Sequence, residues 1–232
     1  MVREIKNELD IARKSDFNEI IEKISKVVWG VIRMIELLGL PGAGKTTYAN
    51  EKMGTYINIL ESNIYSDNRI CQNLNKIVFY IAFVVRKPKD YLVGINKFNK
   101  IHFNSVKIMI KMNLYLFMTL GLLDKYKYKD VLIDEGLGQV LWAFYYNSKD
   151  SNRAIEDLFN VFDEYCCDTV LFIRAEKDEI KNRLLLRRNN GGSELQKDLL
   201  TDSNCLDFAI ECMNQVLLVF DKKGIKYSTI EE

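Results

Sequence analysis

The chain has 232 residues, of which 48% are apolar and 28% charged, and its formal net charge is +1. That length supports one domain with a full core, and the composition excludes a disordered or fibrous chain. No uncharged apolar stretch approaches the ~18 to 20 residues needed to cross a bilayer, and the opening MVREIKNELD lacks the apolar core of a signal peptide. A cytoplasmic protein with no membrane partner is therefore expected.

Cys71, Cys166, Cys167, Cys205 and Cys212 are odd in number, form no C-x-x-C pair and have only His102 for company. Neither a disulfide framework nor a zinc site follows from them. A charge asymmetry lies beneath the near-zero total: from Arg69 to Lys129 there are twelve Lys and Arg against two acids, Asp90 and Asp124. Such a block is either a set of solvated helix faces or an attractor for an anionic partner.

Residues 1–30 read as helix. Ile5, Leu9 and Ala12 recur at helical spacing, and Ser15-Asp16 with Glu19 resembles a capping signal for Phe17 to Trp29, which Gly30 closes. This extension is suited to packing or to an oligomer contact. A strand is predicted over 33–38, where Glu36 interrupts an apolar run. A charge there is costly unless paired, so either Glu36 faces a polar cleft or the register is shifted.

Directly after that strand comes Gly39-Leu40-Pro41-Gly42-Ala43-Gly44-Lys45-Thr46-Thr47, which fits the phosphate-loop pattern G-x-x-x-x-G-K-[ST]. A helix is predicted from Thr46 to Met53. Glycines let successive N–H groups converge on phosphate oxygens at the positive end of that helix. Lys45 supplies a mobile charge for the β- and γ-phosphates, and the Thr46 hydroxyl suits Mg²⁺. A second strand is predicted over Tyr56 to Leu60, delivering Glu61 to the same sheet edge as the loop.

Residues 62–129 read as mostly helical. Ile70, Leu74, Ile77, Val78, Ile81 and Val85 form an amphipathic stripe ending near Pro88, and Val106 to Tyr126 makes a second long helix. Aromatic residues such as Tyr80, Phe83, Tyr115 and Phe117 either pack a core or frame an acceptor pocket. Val131-Leu132-Ile133 then leads into Asp134-Glu135, a strand end of Walker-B type. Asp134 would hold Mg²⁺ with Thr46, while Glu135 or Glu61 would act as the acceptor-side base. A fourth strand is predicted over 168–173, followed by a helix with Arg183, Arg187 and Arg188, and then Asn189-Asn190-Gly191-Gly192. Phe208 to Lys223 is helix, Gly224 ends it, and 225–230 supplies a fifth strand.

Strands alternating with helices predict a parallel sheet with helices on both faces. On GLPGAGKTT and on LFIRAEKDEIKNRLLLRRNNGG, the chain resembles the P-loop kinases of nucleosides and nucleotides, with thymidylate kinase nearest in layout. Zeta-toxin-like sugar-nucleotide kinases are similar in the same respects. The resemblance implies a P-loop NTPase three-layer α/β sandwich with a five-stranded parallel sheet. It implies one kinase-like domain over 1–232, comprising the helical extension 1–30, an acceptor-side helical insert 62–129 between strands 2 and 3, and a lid region 175–195. It further implies that Gly39, Pro41, Gly42, Ala43, Gly44, Lys45, Thr46 and Thr47 bind ATP with Arg183 and Arg187. The catalytic residues would be Lys45, Asp134, Glu61, Glu135, Arg187 and Arg188, with Thr46 and Asp134 as metal ligands. Glu61 stands in a place comparable to the acceptor-side glutamate of deoxynucleoside kinases, whereas the arginine those enzymes carry after the third strand is absent.

The expected activity is Mg·ATP-dependent transfer of the γ-phosphoryl group to a nucleoside, a nucleotide or a sugar. An NTPase coupling hydrolysis to a conformational change is the alternative, favoured by Glu135 directly following Asp134. A polynucleotide 5′-end kinase comes third, on the basic segment. Expected partners are a nucleoside triphosphate, Mg²⁺ and an anionic small-molecule acceptor ahead of a nucleic-acid end, with an oligomer contact through residues 1–30.

Overall fold

The computed structural model describes residues 34–52, 57–64, 68–127, 131–149, 151–189, 198–200 and 203–231. The chain divides into two compact units, Met1–Ile32 and Arg33–Glu232, and every described residue belongs to the second. The helices expected within 1–30, the Gly191-Gly192 turn and the distal part of the lid region lie outside the described residues.

The sheet has the order β2-β3-β1-β4-β5, and every pairing is parallel. Four strands of three to six residues, β1 (Met34–Leu38), β3 (Val131–Ile133), β4 (Thr169–Arg174) and β5 (Tyr227–Glu231), are joined at one edge by the two-residue β2 (Ile57–Asn58). All five residues of β1 and all three of β3 are buried, as continuous apolar runs in a sheet covered on both faces require. The chain leaves β1 towards the β2 edge, returns through β3, and then crosses to β4 on the other side of β1. That reversal opens a crevice at the carboxyl ends of the central strands, where the phosphate loop and the acid pair both emerge.

β2 is shorter than the sequence suggests. Asn58 ends the strand and caps a short helix, α2 (Ile59–Asn63), by accepting from the Leu60 N–H at 3.1 Å. Ile59 and Leu60 are buried from that helix rather than from a strand, because apolar side chains can be buried from either geometry and the Asn58 cap decides between them. Glu61 accordingly lies within α2, not at a strand tip.

Between β2 and β3 the chain forms α3 (Arg69–Arg86), α4 (Pro88–Phe98) and α5 (Val106–Tyr126). Asn68 and Ser105 cap α3 and α5 through their side chains, and Pro88 opens α4. α3 turns inward the face carrying Phe79 and Phe83, while Ile70, Leu74, Ile77, Val78, Ile81 and Val85 are all exposed. Periodicity finds such a stripe but cannot say which of two apolar faces turns inward. The aromatic face packs because Phe83 meets Phe117, Phe162 and Tyr165 at ring centroids 5.7, 6.2 and 5.9 Å away. At Gly121 the crossing is so close that a Cβ would stand 2.2 Å from the Phe79 carbonyl oxygen.

α5 is long and apolar enough to cross a membrane by length and composition, with a mean hydropathy of 1.5, although Lys107, Lys111, Asp124 and Lys125 leave no uncharged stretch of that length in it. Its helix runs back past Lys111 to Val106, and Leu116 to Leu123 are buried inside the protein. Four of the twelve residues of the basic block pair with acids across the helical layer. Arg86 and Lys87 pair with Asp124 at 3.3 and 3.8 Å, Lys97 with Asp157 at 3.4 Å and Lys127 with Glu164 at 3.5 Å. The remaining elements are α1 (Lys45–Lys52), α6 (Leu137–Asn147), α7 (Asn152–Phe162), α8 (Lys177–Asn189) and α9 (Ser203–Lys223).

Candidate active site

The loop from Gly39 to Gly44 connects β1 to α1 and takes its shape from two positive backbone angles, φ 90° at Gly42 and φ 104° at Gly44. Only glycine adopts these without strain. The Ala43 N–H donates to the Leu40 carbonyl at 3.0 Å and closes the turn. Lys45 Nζ folds back to donate to the Gly39 carbonyl at 2.6 Å and to the Leu40 carbonyl at 3.4 Å. Partial burial holds its pKa below the ordinary lysine value, an effect opposed by the nearby carboxylates of Glu135 and Asp134. Thr46 and Thr47 are exposed at the first turn of α1.

Asp134 and Glu135 follow β3 directly and stand beside the loop. Asp134 is 8% exposed and its Oδ1 has no hydrogen-bond partner. Burial raises its pKa, while Asn58 and Lys45 oppose the rise. Glu135 is raised by burial first and by the Asp134 charge second; its carboxylate accepts from the Tyr115 hydroxyl at 3.4 Å. A buried carboxylate oxygen left unpaired beside a lysine is costly in a finished core. It is the arrangement a hard divalent cation satisfies, and no group of three His, Cys, Asp or Glu competes for such an ion among the described residues.

The charge inside β1 has a specific partner. Glu36, 1% exposed, lies under the turn after Asp134-Glu135 and accepts from the backbone N–H groups of Gly138 at 3.2 Å and Gln139 at 3.0 Å. These are orphan donors of the first turn of α6, whose own N-cap, Gly136, offers no side chain. Glu36 therefore caps the helix from a neighbouring strand and sits at its positive end. A Cβ on Gly136 would stand 2.5 Å from Glu36 Cδ, so glycine at this turn is a packing requirement. Burial nonetheless outweighs these hydrogen bonds and pushes the Glu36 pKa up from 4.5 to about 7.

α8 docks on the phosphate loop through buried Ile180 and Leu184, both of which pack near Gly42. Arg183 donates to the Gly42 carbonyl at 3.3 Å and pairs with Glu179. Arg187, one turn further on, lines a cavity of about 800 Å³ together with Gly42, Gly44, Lys45, Thr46, Asp134 and Glu135. Pro41 also lines it, whereas Gly39 and Ala43 shape the loop behind; a Cβ on Gly39 would stand 2.7 Å from the Ile173 carbonyl oxygen. The side chains of Glu61 and Arg188 lie outside the described residues.

The far wall of the cavity comes partly from residues that the sequence offered for an acceptor pocket, Tyr115 and the basic Lys107 and Lys111, and partly from residues to which it gave no role. Ser105, the N-cap of α5, and Lys107, Ile108, Lys111, Met112 and Tyr115 in its first half stand opposite Gln139, Trp142, Ala143 and Asn147 of α6 in the lining. Lys107 and Lys111 were visible as members of the basic segment, and Tyr115 as one of its aromatics. Gln139 carried no signal beyond its position just after the acid pair.

No family model matches the chain, and no curated protein does. Among solved structures it is similar to a deoxyadenosine kinase from M. mycoides with bound dATP, at 18% identity and a TM-score of 0.46 over 85% of this chain and 90% of that one. The same kinase with bound dCTP gives 14% identity and a TM-score of 0.46 over 86% and 89% of the two chains. With the products dCMP and a flexible dCDP it gives 14% and 0.45 over the same shares. The functional reading accordingly rests on the geometry of the site.

Proposed function

We propose that this chain is a Mg·ATP-dependent phosphotransferase acting on a small-molecule acceptor, a nucleoside, nucleotide or sugar. The observation that carries the reading is convergence: the phosphate loop, the unpaired Asp134 Oδ1 and Glu135 open into one cavity that extends well past the loop to the α5–α6 wall. That extra volume suits a second substrate.

The loop N–H groups, Lys45 and the arginines of α8 would hold the triphosphate, and Thr46 and Asp134 would hold Mg²⁺. Bound Mg·ATP would supply the transferable phosphoryl group and the leaving ADP. Lys45 would exchange its loop carbonyls for phosphate oxygens, which its single mobile ammonium permits. Glu135 would take the proton of the acceptor hydroxyl, a role that its raised pKa favours because a more basic carboxylate is a better acceptor near neutral pH. Arg187, on the cavity side of α8, would neutralise charge on the transferred group. We assign the role of base to Glu135, which lines the cavity beside Asp134.

The direct succession of Asp134 and Glu135 also favours a second reading, an NTPase in which Glu135 activates water. An ATP-consumption screen against nucleosides, nucleotides and sugars separates the two. Turnover that requires an acceptor supports the kinase; acceptor-independent hydrolysis lost in Glu135→Gln supports the NTPase. The pairing of Arg86, Lys87, Lys97 and Lys127 with acids ties up part of the basic segment that suggested a nucleic-acid end as acceptor.

A further inference from the structure

Glu36 is the only charged residue of β1, the strand that runs directly into the phosphate loop at Gly39. Its two carboxylate oxygens are used separately: Oε2 accepts the Gly138 N–H at 3.2 Å, and Oε1 accepts the Gln139 N–H at 3.0 Å. Both donors lie in the first turn of α6, which follows Asp134 and Glu135 after the single residue Gly136. One side chain therefore ties the strand that carries the loop to the backbone that carries the acid pair.

The turn is shaped to this carboxylate. A Cβ on Gly136 would stand 2.5 Å from Glu36 Cδ, and one on Gly138 would stand 3.0 Å from Oε1. The chemistry is equally specific. An ionised carboxylate presents an acceptor on each of its two oxygens, whereas an amide of the same shape presents one acceptor and turns its NH₂ towards the second N–H. An apolar residue, the ordinary occupant of a strand covered on both faces, would leave both donors without a partner from β1.

Stability does not account for the choice. Glu36 is 1% exposed, and burial outweighs the hydrogen bonds it accepts, as the rise of its pKa to about 7 reflects. A charge kept in a core at the expense of stability marks a functional requirement. Here that requirement is positional. Reacting groups have to be held within about 0.5 Å of the productive geometry, and a misplacement of about 1 Å can cost about 100-fold in rate. From the cavity side the Glu135 carboxylate is met by the Tyr115 hydroxyl at 3.4 Å, a long contact that leaves its backbone to be fixed from behind.

Resting on the phosphotransferase reading, we infer that Glu36 is a positioning residue of the active site, whose two hydrogen bonds set the turn after β3 and, through it, the place of Glu135 relative to the phosphate loop. Glu36 stands behind the cavity lining, so it acts through Glu135 and not on the nucleotide.

The test uses the full chain with Mg·ATP and whichever nucleoside, nucleotide or sugar raises ATP consumption most, or Mg·ATP alone if none does. At pH 8 Glu36→Gln is expected to unfold at a higher urea concentration than the wild type and yet to lose about tenfold or more in kcat. Its Kd for Mg·ATP, measured by calorimetry, is expected to stay within about twofold. Stability and activity then move in opposite directions, which a merely structural role does not produce. On a Glu135→Gln background, Glu36→Gln is expected to lower kcat by no more than about twofold further, because residues that act as a unit are not additive. Gly136→Ala, whose Cβ presses on the same carboxylate, is a second probe and is expected to repeat both the loss and its absence on that background. A kcat within about twofold of the wild type in Glu36→Gln, a full loss that persists on the Glu135→Gln background, or a Glu36→Gln less stable than the wild type at pH 8 each overturns the inference while leaving a phosphotransferase in place. Absence of any ATP consumption, or consumption that Lys45→Ala does not lower, overturns the phosphotransferase reading itself, and this inference with it.

Discussion

Replacing Glu36 by Gln tests how a carboxylate survives in the central strand of the sheet. The folded-state pKa of Glu36 is raised from 4.5 to about 7, a difference worth about 3 kcal/mol by proton linkage. The sign is opposite to that of a salt-bridged carboxylate. Below pH ~4.5 Glu36 is protonated in both the folded and the unfolded chain and costs nothing by titration. As the pH rises towards 7 the unfolded chain ionises first, so the native state loses stability, and above 7 the full penalty applies. Glutamine does not titrate, and its Oε1 can still accept from the Gly138 or Gln139 N–H. The unfolding free energies of the wild type and Glu36→Gln are thus expected to be similar near pH 4 and to separate until the variant is the more stable by about 3 kcal/mol near pH 8. Urea denaturation of both proteins at half-unit steps from pH 4 to 8 measures this difference directly, because Asp134 and Glu135 titrate in both and cancel. Parallel curves, or a wild type that gains on the variant as the pH rises, would refute the claim that burial outweighs the two backbone hydrogen bonds.

Lys45→Ala should fold and lose about 10²- to 10³-fold or more in kcat, since the side chain hydrogen-bonds to two loop carbonyls and the charge it would stabilise develops in transfer; near-wild-type turnover in the folded variant excludes the site. Asp134→Asn should lower Mg²⁺-dependent turnover and at the same time raise the thermal midpoint at neutral pH, because it removes a buried carboxylate charge with an unpaired oxygen; a fall in both speaks for a structural ion pair with Lys45 instead. Arg187→Ala should reduce activity with little change in stability, since the residue is exposed on α8, and an unchanged KM for ATP together with unchanged kcat would remove it from the site. Phe83→Ala should cost about 3 to 5 kcal/mol in chemical denaturation, as Phe83 is fully buried and meets Phe117, Phe162 and Tyr165; a loss below about 1 kcal/mol would mean that α3 is not anchored by that face.

Much of the scaffold is local information. GLPGAGKTT specifies its own turn because Gly42 and Gly44 occupy backbone angles closed to other residues, and a loop that gathers N–H groups at a helix start is suited to an anion. The apolar runs of β1, β3 and β4 with intervening helices imply a parallel sheet on period and chirality alone, and hence the arrival of Asp134 and Glu135 at the loop's edge. Local capping chemistry is legible too, yet its weight against strand propensity was not: Asn58 converts the end of a predicted strand into a helix and takes Glu61 off the sheet. Contacts distant in the chain decided the rest. Glu36 looked like an interruption in a strand because its two partners lie more than a hundred residues away on α6. The inward face of α3 was settled by rings on α5 and α7 that no window around residue 80 contains, and the far wall of the cavity exists only because α5 and α6 bring their residues to the same space as the loop. Glycine angles and hydrophobic period act between neighbours in sequence, whereas burial, pairing and the shape of a cavity are sums over neighbours in space, which the tertiary structure alone assembles.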